Sequence, residues 1–189
     1  WLKTVNTIIE KLQRERTRLA EMHDIAGLRV VQDMTLGQQT SMSQRLVELF
    51  PAAKVIDRRE TPNNGYRALH VIVRVEGRLV EIQLRTLLQD LWAQAMERLA
   101  DEAGREARYG HVPGEYREQI ESLQQASVLV AGIENLVEDR VSLDVTSPRQ
   151  APFGQRDLLI EQMKIKKLHA DIERFAARVR QILDEMIAT

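Results

Sequence analysis

The sequence contains no cysteine, and this absence removes several kinds of chemistry at once. Disulfide cross-links, thiolate metal sites and a cysteine nucleophile are all excluded. The lack of thiols is compatible with a reducing compartment, and we expect a cytoplasmic protein. Long apolar runs are also absent, since no stretch approaches the ~20 consecutive apolar residues that span a bilayer. We therefore expect no membrane partner.

Charge of one sign is not in excess either, because 27 Lys and Arg stand against 28 Asp and Glu. No global charge argues for a nucleic-acid or membrane binder, so any anion site must be local. The N-terminus alternates charged and apolar residues and shows no apolar signal-peptide segment. With 189 residues, 43% of them apolar, the chain can form one packed domain, alone or with an appendage.

Hydrophobic periodicity predicts a helix, a strand, a helix and three further strands in the first half of the chain. In chain order these elements are 3–22, 25–32, 38–50, 53–60, Tyr66–Val75 and Arg78–Arg85. Glu76-Gly77 is a tight-turn pair, so the last two strands are predicted to form a hairpin. Pro62–Gly65 is a loop by composition.

The second half of the chain reads as helical from Leu87 onward. Predicted helices begin at Leu87 and cover 114–138 and 156–188, and Gly104 or Gly110 interrupts the first of them. Residues 142–155 hold two prolines and a glycine, which predicts a mobile connection.

The predicted elements together give an α/β (α+β) fold, a mixed β-sheet flanked by helices. We expect a core over residues 1–110 and a helical C-terminal extension over 111–189.

Polar groups concentrate on one face of the predicted hairpin. Leu79, Glu81, Gln83 and Arg85 alternate with apolar residues, so they share a face. Glu81 is either a solvent-facing strand residue or a metal ligand, and Asp24 is either a turn residue or a second ligand. Two carboxylates from separate strands, with basic residues nearby, suit Mg²⁺-assisted phosphoryl transfer.

Three further features each have two interpretations. His23-Asp24 resembles the metal pair of a His-Asp hydrolase, but the additional ligands of such a site are not evident. Tyr66 is either a packed strand residue or a stacking platform for a base, with Gly65 allowing close approach and His70 on the same strand face. A basic helix edge, either an ordinary solvated face or a triphosphate clamp, comprises Lys3, Thr7, Lys11, Arg14 and Arg18. Trp92 and the methionines are expected in the core.

Four ordered motifs resemble the RelA/SpoT family of alarmone synthetases, over about residues 1–110. They are "KTVNTIIEK", "HDIAGLRVV", "NNGYRALHV" and "VEIQLRT" with a following "LWAQ". The segment after them looks most like compact single-domain members of the family, small alarmone synthetases, some of which are toxins. We therefore expect a synthetase-only protein, without the hydrolase and regulatory domains of long members.

The resemblance implies a nucleotidyltransferase-like core that transfers pyrophosphate from ATP to the 3′-hydroxyl of GDP or GTP. It assigns Asp24 and Glu81 to Mg²⁺, Glu81 also to activation of the acceptor hydroxyl, and Tyr66 to the acceptor base. Arg29 would stack on adenine. The ATP phosphates would be bound by residues of the first helix: Lys3, Thr7, Lys11 and Arg14. The other acceptor contacts would come from the loop and hairpin: Asn64, Gly65, Arg67, His70, Gln83 and Arg85.

Two positions depart from the family pattern. Trp1 stands where an Arg helps to sandwich adenine, and the loop Thr61–Asn64 lacks the usual Lys, whose charge the Arg58-Arg59 pair would supply. The acceptor is therefore left open between GDP or GTP, an adenine nucleotide and the 3′ end of tRNA. A third hypothesis is a nucleotide-binding module with little catalysis. The C-terminal helices would either complete the fold or bind an antitoxin or a second copy of the chain.

Overall fold

The computed structural model describes residues 4–16, 18–109 and 113–146, with further helical positions between Met163 and Gln181. The chain forms two compact units. The first comprises the chain up to Thr61 together with Arg67–Leu87, and the second comprises Pro62–Tyr66 and the chain from Leu88 onward. The division into a core over 1–110 and an extension over 111–189 stays a prediction.

The first unit contains a mixed four-stranded sheet with helices. Its elements are α1 (Val5–Glu15), a 3₁₀ turn (Leu19–Glu21), β1 (Gly27–Gln32), α2 (Leu36–Leu49), β2 (Lys54–Asp57), β3 (Leu69–Val75) and β4 (Arg78–Thr86). The strand order is β1-β4-β3-β2, with β1 parallel to β4 and the other neighbours antiparallel. The predicted mixed sheet and its hairpin are confirmed.

One face of this sheet packs on α2 through apolar side chains. The buried strand residues are Leu69, Val71, Val73, Ile82 and Leu84, and Met42, Leu46 and Phe50 pack against them. Full burial of each such side chain contributes about 1.5–3 kcal/mol. Gln39 of α2 is also buried, and its Nε2 donates to the backbone oxygen of Leu84 over 2.9 Å. The predicted alternation in β4 is therefore correct, with its apolar side chains against α2.

Several element boundaries in the first unit differ from the prediction, and two of the differences concern candidate site residues. Thr4 caps α1 through its side-chain oxygen, but the helix ends at Glu15 because Arg16 adopts a left-handed conformation with φ 49°. The predicted helix to residue 22 is therefore too long. Strand β3 begins at Leu69 and not at Tyr66, because the Tyr66 amide closes a turn onto the Asn63 oxygen over 2.9 Å. His70 and Tyr66 thus do not share one strand face.

The second unit is built from helices. Its elements are α3 (Leu87–Ala103, of which Leu87 belongs to the first unit), 3₁₀ turns at Arg105–Tyr109 and Gly114–Tyr116, and α4 (Arg117–Thr146). Gly104, with φ +97°, ends α3 as predicted, while Gly110 lies outside the described residues.

Apolar side chains of α3, α4 and the C-terminal segment form one buried cluster in the second unit. Trp92, Leu99, Leu123 and Ile133 are buried there, as is Phe175, which is 1% exposed. Trp92 is thus a core residue, as predicted. The burial of Phe175 shows that the C-terminal segment contributes to this core.

The predicted connection at 142–155 begins too early. Helix α4 continues to Thr146, and residues 147–155 lie outside the described residues, as does most of the predicted last helix, 156–188. Over the part of the chain that the structure describes, no helix is long and apolar enough to cross a membrane.

Gly65 is fixed by packing within the second unit. Its φ is +89°, and a Cβ placed on it would lie 2.7 Å from a ring carbon of Trp92. The Trp92 indole is itself held, because its Nε1 donates to the Leu123 oxygen over 2.6 Å. Ser127 Oγ donates to the Gly65 oxygen over 2.5 Å. This position therefore requires glycine for structural reasons alone.

Replacing Gly65 by alanine should destabilise the protein more than the same change at Gly104. Both glycines have positive φ, which costs an alanine about 1 kcal/mol. Only Gly65 also meets a side chain, since nothing lies within 4 Å of a Cβ at Gly104. We expect a loss of about 3 kcal/mol for Gly65→Ala in urea unfolding. Equal losses for the two variants would contradict the packing explanation.

Candidate functional site

The buried carboxylate of Glu81 lies at the centre of the polar face of the sheet. Glu81 is in the middle of β4, paired with Gly27 of β1 and Ile72 of β3, and its side chain is only 6% exposed. Its Oε1 is 2.9 Å from His70 Nδ1, and its Oε2 accepts a hydrogen bond from Gln83 Nε2 over 2.8 Å. A charge buried this far from water requires such partners.

Gln83 is oriented by Arg85, two residues further along the same strand face. Arg85 is 3% exposed and donates to Gln83 Oε1 over 3.0 Å. A side-chain amide has one acceptor oxygen and one donor nitrogen. Because Arg85 takes the oxygen, the nitrogen of Gln83 is turned toward Glu81. The structure therefore brings Glu81, Gln83, Arg85 and His70 together in one hydrogen-bonded chain.

The surroundings of Glu81 favour its charged form. Burial by itself would raise the pKa of the carboxyl group. Hydrogen bonds from His70 and Gln83, with the electrostatic attraction of His70 and His23, outweigh that effect and hold the pKa of Glu81 below its usual value. The carboxylate is therefore ionised at neutral pH. It suits cation binding and alignment better than proton abstraction, because an efficient general base has a pKa near the working pH.

Asp24 is paired with Lys11, and the segment that carries it contacts Glu81. Lys11 Nζ is 2.7 Å from Asp24 Oδ2, and the two side chains are 14% and 13% exposed. The residues around Asp24 contact Glu81: His23 Nε2 lies 3.7 Å from Glu81 Oε1, and the Ala26 oxygen accepts from the Glu81 amide over 3.2 Å. Two residues predicted for Mg²⁺ thus come from neighbouring segments.

His23 is the residue of this site that sequence reasoning missed. Its signal was the His23-Asp24 dipeptide, which was interpreted only as a possible hydrolase pair. In the structure His23 approaches Glu81 Oε1, the oxygen that also contacts His70. The contact joins the segment before β1 to the centre of β4, a relation that a local pattern does not reveal.

The described residues contain no group of three or more His, Asp or Glu side chains placed to hold a metal ion. Asp24 and Glu81 nevertheless offer hard oxygen ligands. Mg²⁺ is usually bound through one or two protein carboxylates together with substrate phosphates. The donor set therefore fits a Mg²⁺ ion that is completed by a nucleotide.

The structure describes the positions of most, but not all, of the residues predicted to bind the donor nucleotide. Thr7 Oγ1 lies 2.8 Å from Thr4 Oγ1 near the start of α1, and Arg14 is exposed on the last turn of that helix. Arg29 is exposed on β1 and pairs with Gln83 in register, which places it on the same sheet face as Glu81. Lys3 lies outside the described residues.

The predicted acceptor residues around the loop have structural contacts of their own. Asn64 Nδ2 donates to the Arg108 oxygen over 3.3 Å, and Tyr66 packs against the helical core, both within the second unit. In the first unit the Arg67 guanidinium donates to the Arg59 oxygen. Their assignment to an acceptor nucleotide stays a prediction.

Arg59 is occupied by contacts that hold β2 to the start of α2. Its guanidinium bonds the Asp57 carboxylate, with 2.6 Å to Oδ2, and donates to the Leu36 oxygen and to Thr40 Oγ1, each over 3.0 Å. Partial burial would raise the pKa of Asp57, but the hydrogen bonds and charge of Arg59 hold that pKa below its usual value. Arg59 thus has structural contacts of its own, and its predicted role as a substitute for the missing loop Lys stays a prediction.

The contribution of Asp57 to stability should depend on pH. Asp57→Asn keeps the side-chain shape and removes the charge, so the variant is less stable at pH 7. The stabilisation is present above the unfolded-state pKa of about 3.9 and is lost as the pH falls through the lower folded-state pKa. An arginine guanidinium is charged over this whole pH range. The difference in urea midpoint between the two proteins should therefore shrink below about pH 4; a constant difference down to about pH 2 would contradict the ion pair.

The family of the chain follows from a direct match. A family model described as the region found in RelA / SpoT proteins matches residues 2–100, more than half of the chain. The chain belongs to the RelA/SpoT family. The predicted membership is therefore confirmed, and the matched range contains Asp24, Glu81, Gln83 and Arg85.

Two curated relatives illustrate the relationship. The uncharacterized protein Rv1366 of Mycobacterium tuberculosis is 39% identical over 141 residues, which cover 68% of this chain and 52% of that protein. The GTP pyrophosphokinase YjbM of Bacillus subtilis is 37% identical over 110 residues, covering 49% of this chain and 50% of that one. The chain therefore spans about half the length of the curated relatives it matches.

Solved structures support the fold. The small alarmone synthetase 1 of Bacillus subtilis superposes with a TM-score of 0.55 at 23% identity, covering 75% of this chain and 78% of that one. A GTP pyrophosphokinase family protein of Streptococcus pneumoniae gives 0.55 at 22% identity, covering 78% of each chain. At this identity the likeness is one of fold, and it confirms the mixed sheet with flanking helices.

Proposed function

We propose that this protein transfers the β,γ-pyrophosphate of ATP to the 3′-hydroxyl of GDP or GTP. The observation that carries the proposal is the buried, ionised Glu81, held by His70 and Gln83 beside the Asp24 segment. Relatives support it, because YjbM is named a GTP pyrophosphokinase and the small alarmone synthetase 1 has been solved with pppGpp and with AMPCPP.

Asp24 and Glu81 would hold Mg²⁺ in this proposal. The bound cation would neutralise phosphate charge as the pyrophosphoryl group transfers. A carboxylate has about four lone-pair sites, and the contacts with His70 and Gln83 use one on each oxygen of Glu81. The remaining positions of Glu81 can bind the cation and accept a hydrogen bond from the acceptor hydroxyl.

The reaction forms one bond and breaks one. The 3′ oxygen of the acceptor bonds to the β phosphorus of ATP, the bond from that phosphorus to the bridging α,β oxygen breaks, and AMP leaves. The hydroxyl proton passes to solvent water as the new bond forms. Glu81 would mainly align the hydroxyl, because its lowered pKa makes it a weak proton acceptor. Alignment of this kind can supply several orders of magnitude in rate.

The other predicted residues would bind the two nucleotides. Arg29 would stack on adenine, and Tyr66 on the acceptor base. Cations and a hydroxyl of the first helix would bind the donor phosphates: Lys3, Thr7, Lys11 and Arg14. Polar residues of the loop and hairpin would complete the acceptor contacts: Asn64, Gly65, Arg67, His70, Gln83 and Arg85.

The acceptor is best assigned to a free guanine nucleotide. A tRNA acceptor was motivated by the Arg58-Arg59 pair and the basic edge of α1. Arg59 is occupied by Asp57, Leu36 and Thr40, which removes one of those cations from a phosphate backbone. Assays with bulk tRNA or with ADP as acceptor would reveal the other two specificities, and label remaining on guanine nucleotide would reject them.

Removing the charge of Glu81 should abolish most of the transfer. With γ-labelled ATP, GDP or GTP, and Mg²⁺, we expect labelled product from wild type. The rate of Glu81→Gln should be lower by a factor of about 100 or more. Asp24→Asn should behave in the same way. Glu76→Gln is the matched control, because Glu76 is an exposed glutamate in the turn of the same hairpin.

Full activity of Glu81→Gln would contradict the assignment of this residue. A wild-type protein that binds both nucleotides but transfers no label would instead support the alternative of a binding module with little catalysis.

A further inference from the structure

Lys11 and Asp24 are paired with each other, although each is assigned to a different ligand. Lys11 is proposed to bind the donor phosphates and Asp24 to bind the metal ion, so the inference drawn from their pairing rests on the proposed function. The two atoms are 2.7 Å apart, and the side chains are 14% and 13% exposed. Their contact is therefore a charge-assisted hydrogen bond that solvent screens less than a surface pair.

The pair places an ammonium group where a divalent cation would approach Asp24. A cation that takes the position of Lys11 Nζ on Oδ2 displaces the ammonium group, and a cation that binds elsewhere on this carboxylate lies close to the ammonium charge and is repelled by it. The displaced ammonium group would then lose its carboxylate partner in a half-buried position, which is unfavourable. A metal ion arriving alone therefore gains the carboxylate at the expense of an existing ion pair.

Binding of the metal ion costs less when the ion arrives together with a triphosphate. The cation takes the place of Lys11 on Asp24, and the phosphates offer Lys11 a new anionic partner. Both protein charges are then matched again, so the exchange costs less than metal binding alone. The location of Lys11 on α1 agrees with this exchange, since Thr7 and Arg14 of the same helix are also proposed to bind the donor phosphates.

We propose that Lys11 competes with the divalent cation for Asp24, so that metal and donor triphosphate bind cooperatively and the metal binds weakly without the nucleotide. Coupling between two ligands is reciprocal. The cation must therefore strengthen binding of the triphosphate by the same factor as the triphosphate strengthens binding of the cation. Lys11 would set the size of that factor.

The test is a titration of the protein with Mn²⁺ followed by electron paramagnetic resonance, without nucleotide. Lys11→Met keeps the length of the side chain and removes its charge, and we expect it to bind Mn²⁺ about tenfold more tightly than wild type. Lys11→Arg retains the charge and should not strengthen binding. Lys54→Met is the matched control, because Lys54 is an exposed lysine on β2. Asp24→Asn should remove the gain in the Lys11→Met background.

Addition of the non-hydrolysable donor AMPCPP completes the experiment. AMPCPP should strengthen Mn²⁺ binding in wild type more than in Lys11→Met, because the variant has no ion pair left to exchange. If Lys11→Met is not folded by circular dichroism, Lys11→Gln serves in its place. The reciprocal measurement on wild type, AMPCPP affinity with and without Mn²⁺, requires no variant and should show cooperative binding.

Equal or weaker Mn²⁺ binding by folded Lys11→Met would overturn the competition and leave the ion pair a purely structural tie. Independent binding of Mn²⁺ and AMPCPP to wild type would overturn it as well. These failures are distinct from failure of the proposed function. A protein that transfers pyrophosphate while the Mn²⁺ titrations are unchanged would refute the competition alone. A protein without transfer activity would refute the function, and the titrations would still decide the competition.

Discussion

The carboxylate of Glu81 must be charged in a place that water hardly reaches, and the first unit is arranged around that constraint. β4 lies between β1 and β3, so partners can approach Glu81 from three directions. His70 comes from β3, Gln83 from β4 itself, and His23 from the segment before β1. An uncompensated carboxylate here would be costly or would be protonated. The hydrogen bonds reverse that preference and keep it ionised.

The opposite face of the sheet makes this arrangement possible. Leu69, Val71 and Leu84 pack with α2 into an apolar layer that fixes the strands. Because side chains alternate along a strand, a register set by the apolar face also sets the position of every polar side chain on the other face. Gln39 and Arg59 tie α2 to β4 and to the end of β2. The positions of the polar side chains thus depend on packing and hydrogen bonds made on the other face of the sheet.

The sequence was most informative where a local pattern decides the structure. Alternation in β4 predicted which face carries Glu81, and Glu76-Gly77 predicted the hairpin turn. The sequence was least informative where a contact with a residue far away in the chain decides the local structure. Tyr66 has a strong strand preference, yet Asn64 and Gly65 take positive φ values and make it part of a turn. Gly65 is required because it lies against Trp92, Arg59 bonds to the start of α2, and His23 contacts Glu81. Each of these contacts joins residues that are far apart in the sequence, so no local pattern predicts it.

The most direct test of the role of this hydrogen-bonded chain is the single-turnover transfer rate of Gln83→Met. That rate is compared with the affinities of the same variant for the two nucleotides. Methionine fills similar space but cannot link Arg85 to Glu81. If the hydrogen-bonded chain orients Glu81, the single-turnover rate at saturating nucleotide should fall by about 100-fold, in addition to any weakening of acceptor binding that follows from loss of the Gln83 amide. An unchanged rate, or a loss explained entirely by weaker acceptor binding, would contradict the claim that this chain positions the carboxylate for chemistry.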